Sequence, residues 1–167
     1  MKVSNRFASA SLLLFSLFVV SCGFKPAYRI DNNPTNRFLA NIEVVPINSV
    51  EGAIFYDHMM NILPQKIESL YILDVNMVFS NESSIIEQNS DTLRNRLTLR
   101  ISYNIREKYN SQIITSGKFV KSSSFSTGFS SYSSLILQQD EKRYLAISAA
   151  EEVRNRIMLF IEKKNYS

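Results

Sequence analysis

Residues 93–107, LRNRLTLRISYNIRE, alternate apolar and polar side chains almost without a break. Leu93, Leu97, Leu99, Ile101, Tyr103 and Ile105 take odd positions. Arg94, Arg96, Arg100 and Arg106 take even ones, with Thr98, Ser102 and Asn104 between them. Successive side chains of a strand leave on opposite faces. The stretch therefore predicts a strand that buries one face and holds a row of guanidinium groups on the other. A sheet built this way is backed on one side only.

The neighbouring segments supply the rest of that sheet and its backing. Leu39–Ile47 (LANIEVVPI) reads as a β-branched strand closed by Pro46, in keeping with the confinement of proline to strand ends and edges. Tyr71–Phe79 alternates Tyr71, Leu73, Val75, Met77 and Phe79 and predicts a second half-buried strand. Lys108–Gln112 reads as a hairpin connection into a further strand, Ile113–Phe125, interrupted by Gly117. Asn81–Asp91 is polar and turn-like around Ile85 and Ile86.

Two segments have helical spacing. In Ser49–Leu63 it is carried by Phe55, Met59, Ile62 and Leu63, with Ile67 and Leu70 extending the stripe and Pro64 ending or kinking the first part. The clearest helix is Leu135–Lys163, with Ala146, Ala149, Ala150, Val153, Ile157, Phe160 and Ile161 on one stripe. Asp140 and Glu141 early in that helix and Lys163 and Lys164 at its end suit the helix dipole. Between the last strand and this helix, eight of the thirteen residues Ser122–Ser134 are Ser, which reads as a loop or frayed strand end. The order β-α-β-β-β-α predicts an α+β two-layer sandwich: two helices on one face of a four-stranded sheet, the second face free.

The N-terminus reads as a targeting segment. Lys2 and Arg6 precede an apolar run from Leu12 to Val20, broken only by Ser16. That run is too short to span a bilayer, which takes about 20 residues, and has the size of a secretory h-region. Val19-Val20-Ser21-Cys22 then resembles a bacterial lipobox, with Cys22 as the residue to be acylated and cleavage after Ser21. Three acyl chains would anchor stably. Gly23, not Asp, follows Cys22, which under the bacterial sorting rule favours the outer membrane. The expected division is a signal peptide over residues 1–21, a lipidated tether over 22–38 rich in Pro and Asn, and one periplasmic domain over 39–167.

Composition narrows the function. Without Lys2 and Arg6, the 19 basic groups fall to 17 against 15 acidic ones, too mild an excess to argue for nucleic acid. One His and one Cys leave no set for a structural metal or an internal disulfide. Glu151 and Glu152 are adjacent and cannot face each other on a helix. No Gly-x-Ser-x-Gly elbow is present, and the four Gly do not cluster into a phosphate cradle. His58 reads as a partly buried or interface side chain, Asp57 as a surface residue, and Met59 and Met60 as core. No catalytic residue, metal site or cofactor is expected.

Taken together, the chain resembles the alphaproteobacterial form of the lipopolysaccharide-assembly lipoprotein family LptE. Three stretches carry the likeness: Ser21-Cys22-Gly23-Phe24-Lys25-Pro26-Ala27-Tyr28, Ile42-Glu43-Val44-Val45-Pro46-Ile47, and Phe125-Ser126-Thr127 with Tyr132-Ser133-Ser134 and the long last helix. The first helix departs from the family's basic, Leu-rich pattern, carrying Tyr56, Asp57, His58 and Pro64. The resemblance implies two helices on a four-stranded sheet and a non-enzymatic role. It implies a plug inside an LptD-like outer-membrane β-barrel translocon, which the protein helps to assemble, and delivery of lipopolysaccharide. A different lipoprotein, accessory to another lipid-transport system of the ABC type, is the alternative.

The arginine row is where such a ligand would bind. Arg94, Arg96 and Arg100 share one parity over roughly 20 Å of strand. Arginine grips phosphate through a two-pronged fork and stays charged. Lys118 and Lys121 differ in parity, so only one of them joins the face. Three readings stand at this point: an anionic glycolipid site, a contact with acidic groups in the barrel lumen, and a solvated outer face.

Overall fold

The alternating stretch is a strand over its whole length, Leu93–Glu107, and it is paired on both sides. It runs antiparallel to Tyr71–Ser84 and to Ile113–Thr127. Tyr71–Ser84 pairs in turn, in parallel, with the three-residue strand Ile42–Val44. The computed structural model describes residues 33–64, 68–84, 93–127 and 130–165. In chain order its elements are α1 (Pro34–Ala40), β1 (Ile42–Val44), α2 (Val50–Ile62), β2 (Tyr71–Ser84), β3 (Leu93–Glu107), β4 (Ile113–Thr127) and α3 (Ser131–Asn165), and the sheet order is β1-β2-β3-β4. The molecule is the α+β layered fold expected, with one helix more. The leader, Cys22, Ile67 and residues 85–91 lie outside the described residues.

The additional helix, α1, occupies the end of the expected tether. Asn33 caps it by accepting a hydrogen bond from the Thr35 N–H at 3.1 Å, and Pro34 fills its first position. An Asn cap followed by Pro is a helix start, and this outweighs the extended conformation that Pro34 also suits. Leu39 and Ala40 are buried at the end of α1, so the strand expected over 39–47 shrinks to Ile42–Val44. Phe38 stacks on Tyr71 with ring centroids 4.3 Å apart, which ties α1 to the start of β2.

Helix α2 begins where Ser49 accepts a hydrogen bond from the Gly52 N–H at 2.9 Å. It buries Phe55 and Met59, with Leu63 just beyond it. Met60 is exposed, so only one of the two methionines is core. Leu70 lies past the helix: its N–H bonds the Asn41 carbonyl and leads the chain into β2. The β1-α2-β2 unit is thus a parallel crossover, as a parallel strand pair requires.

Helix α3 is longer than expected. Strand β4 continues through the serines to Thr127 and α3 starts at Ser131. Serine is a poor helix former but a tolerated one; of the two readings that the composition allows, loop or strand end, residues 122–127 take the strand, and the serines from Ser131 open the helix instead. Asp140 and Glu141 consequently sit beyond the first turn and do not complement the dipole there. Glu141 instead accepts a hydrogen bond from the Ser123 hydroxyl. Lys163 and Lys164 do lie in the last turn. Ala146, Ala149, Ala150, Val153, Ile157 and Ile161 are buried in the core, together with Leu145.

Glu51 meets Lys142 at 3.1 Å, and His58 Nε2 stands 3.4 Å from Glu151. Contacts that advance together along both helices show α2 and α3 to be parallel. The two helices and the odd-numbered face of the sheet enclose one core, with Leu73, Leu97, Leu99, Ile101 and Ile105 on the sheet side. Gly117 does not interrupt β4. It faces Tyr103, and a Cβ there would meet the phenol oxygen at 2.5 Å. The ring lies in the space a side chain would fill. Burial pushes the Tyr103 phenol above its ordinary pKa.

Candidate functional site

The even-numbered face of the sheet carries no helix among the described residues. Strand register makes it a grid. Across β2, β3 and β4 the rows are Ser84, Arg94, Ser126; Glu82, Arg96, Ser124; Ser80, Thr98, Ser122; Val78, Arg100, Val120; and Asn76, Ser102, Lys118. Rows are spaced by two residues of strand, about 7 Å. Arg96, Arg100 and Lys118 are exposed on this face. Arg94 holds the same parity at its far end.

The charges here are not all equivalent. Arg106 donates from Nε to Asp74 at 2.8 Å, so one end of the face is neutralised. Glu82 lies in register with Arg96. Arg100 reaches Ser80 through a long 3.4 Å hydrogen bond. Its fork is otherwise presented outward.

Lys121 leaves for the opposite face and donates to the Ser148 hydroxyl of α3 at 2.7 Å. Lys118 is therefore the β4 lysine that shares the arginine face, as parity required. The bulge between Ile105 and Arg106 shifts register only at the hairpin end and leaves these rows intact.

The feature that sequence reasoning missed is apolar. Val78 and Val120, 49% and 60% exposed, flank Arg100 on the two neighbouring strands. With Asn76, Ser102 and Lys118 they form a shallow concavity of about 430 Å³. Two exposed valines on either side of a guanidinium suit an amphiphile, whose anionic group meets the cations while its chain covers the valines. The sequence signal was the even-numbered valine in each strand, but it needed the register to be read.

His58 is half-buried between α2 and α3, outside hydrogen-bond geometry to Glu151. Glu152 is engaged by Arg156 at 2.7 Å, and that guanidinium lies over the Phe119 ring at 4.6 Å. Asp57 is exposed. The structure brings none of these onto the arginine face.

No protein-family model matches the sequence. An uncharacterised protein of Rickettsia prowazekii (strain Madrid E) is 29% identical over 153 residues, covering 92% of this chain and 97% of its own. Among solved structures, a candidate lipoprotein of Caulobacter crescentus CB15 superimposes with a TM-score of 0.61 at 15% identity, over 77% of this chain and 96% of that one. Rare lipoprotein B of Shewanella oneidensis gives 0.53 at 6% identity, over 75% and 95%. A minor lipoprotein of Acinetobacter baumannii gives 0.52 at 13%, over 71% and 88%. At these identities the likeness is one of fold. The chain shares the architecture of bacterial proteins described as lipoproteins.

Proposed function

We propose that this protein is an outer-membrane lipoprotein of lipopolysaccharide assembly. It is held by an acylated Cys22, its body plugs and helps assemble an LptD-like β-barrel, and its open sheet face binds lipopolysaccharide in transit. The observation that carries the ligand part is the row Val78, Arg100, Val120 with Arg96 and Lys118 beside it: cations for phosphate, apolar surface for acyl chain. The shared fold with rare lipoprotein B and two other lipoproteins supports the lipoprotein part, as does the lipobox at Cys22. The proposed action is binding and templating.

The test has two arms. Detergent extracts of cells carrying a tagged chain are expected to yield a large β-barrel as the co-purifying protein. Recovery of an inner-membrane ABC transporter instead would overturn the assignment. The doubly reversed variant Arg96→Glu, Arg100→Glu is expected to lose lipopolysaccharide affinity by at least tenfold, since charge-assisted hydrogen bonds are each worth about 1.5–3 kcal/mol and 1.4 kcal/mol is a factor of ten. Unchanged affinity at low salt would show the face to be a solvated surface.

A further inference from the structure

The chain's single histidine lies in the helical layer that covers the core. His58 follows Phe55 by three residues and adjoins Met59, both fully buried. Its Nε2 stands 3.4 Å from a carboxylate oxygen of Glu151 on α3. That nitrogen is sealed from water, yet it makes no hydrogen bond. A buried polar atom without a partner costs stability, and folded proteins leave few of them. The imidazole side chain is 27% exposed and the carboxylate 57%, so Glu151 has room to turn toward the ring.

A proton changes the nature of this contact. Neutral imidazole has one donor and one acceptor nitrogen, whereas in the cation both nitrogens donate. With the proton bound, Nε2 is a charged donor at ion-pair distance from a carboxylate, and a small turn of Glu151 completes the bond. The surrounding charges leave Glu151 as the partner. On α2, Asp57 is exposed and adjacent to His58, and consecutive helix residues do not face each other. Glu51, two turns earlier, is taken by Lys142. On α3, Arg154 lies one turn beyond Glu151, and its Nε is also buried without a partner. Arg154 is the cation that opposes an imidazolium here, and it has no hydrogen bond through Nε to hold Glu151 away from the ring. From the sheet, Ile42, Val44 and Leu73 are turned to the core, and none of them carries charge.

We infer that His58 and Glu151 form a proton-operated latch between α2 and α3, loose while the imidazole is neutral and closed as an ion pair once it is protonated. The native chain offers the imidazolium a partner that the unfolded chain does not. The native state therefore takes up the proton more readily, and stability rises as pH falls through the range in which imidazoles titrate. The response belongs to the helical layer. The guanidinium groups on the open sheet face stay charged throughout that range, so the latch is independent of what that face binds.

Urea unfolding of the full-length chain at about pH 8 and about pH 5.5 tests the latch, because histidine is the side chain that ordinarily changes charge between those values and the chain has one. The folded state is expected to gain about two- to fivefold in its equilibrium constant at the lower pH, the size of a partly exposed ion pair. His58→Gln keeps a polar side chain and should abolish the gain. Glu151→Gln, at an exposed position, should abolish it too or turn it into a loss, since the imidazolium would then face Arg154 without a carboxylate. The double variant should respond to pH as His58→Gln does. Three results overturn the proposal: no rise in stability on acidification, a rise that survives His58→Gln, and a rise that survives Glu151→Gln. Should His58→Gln fold too poorly to measure, Glu151→Gln decides by itself.

Discussion

Gly117→Ala inserts one methyl group into a position already filled from the neighbouring strand. The new Cβ would stand 2.5 Å from the Tyr103 phenol oxygen and 2.6 Å from two ring carbons. Tyr103 is 6% exposed, so its ring cannot simply swing out into solvent. An extra methyl in a packed site costs about 1–3 kcal/mol. Replacing Gly in a strand returns about 0.5–1 kcal/mol through the unfolded chain. The net expectation is a loss of roughly 0.5–2 kcal/mol, which at a slope of about 1–3 kcal/mol/M lowers the urea midpoint by roughly 0.2–2 M with the slope unchanged. Urea unfolding followed by far-ultraviolet circular dichroism measures it. The decisive comparison is the same substitution in a Tyr103→Val background. There the ring is gone, so Gly117→Ala should become stabilising by about 0.5–1 kcal/mol. An identical cost in both backgrounds would refute the contact.

Two further outcomes follow from α2 and its ion pair. Ser49→Ala removes the acceptor for the Gly52 N–H and should cost about 1 kcal/mol, whereas Ser49→Gly should cost only a few tenths; equal losses in urea unfolding would deny the cap. The Glu51 carboxyl is held below its ordinary value, first by its backbone hydrogen bond and also by Lys142. Its contribution is therefore complete above the unfolded-state value of 4.5 and is lost as pH falls through the lower folded value. Glu51→Gln should flatten stability against pH on the acid side of that value and leave the alkaline side unaltered; an unflattened acid limb would show that this carboxyl does not couple to folding.

Strand β3 was legible residue by residue, because period-two alternation has one structural solution when one face is buried. The apolar stripe from Ala146 to Ile161 was legible for the same reason at period 3.6, as was α2 from the spacing of Phe55 and Met59. From these the α+β layering followed. The misreadings fall where a local signal had two outcomes. Pro34 after Asn33 suits a tether or a helix start, and burial of Leu39 and Ala40 decided for the helix. The serine run suits a loop, yet pairing with β3 carried β4 to Thr127 and α3 took the next serines. Arg96 and Arg100 could be placed on one face from parity alone. That Val78 and Val120 flank Arg100, and that Asp74 neutralises Arg106, needed strand register. Register is set by long-range pairing and packing, which no single segment encodes. So the amino-acid sequence by itself determined the elements whose periodicity meets a buried face. Only the tertiary structure decided which side chains from different strands stand side by side on the open one, because those neighbours lie some twenty residues apart along the chain and meet only when the sheet forms.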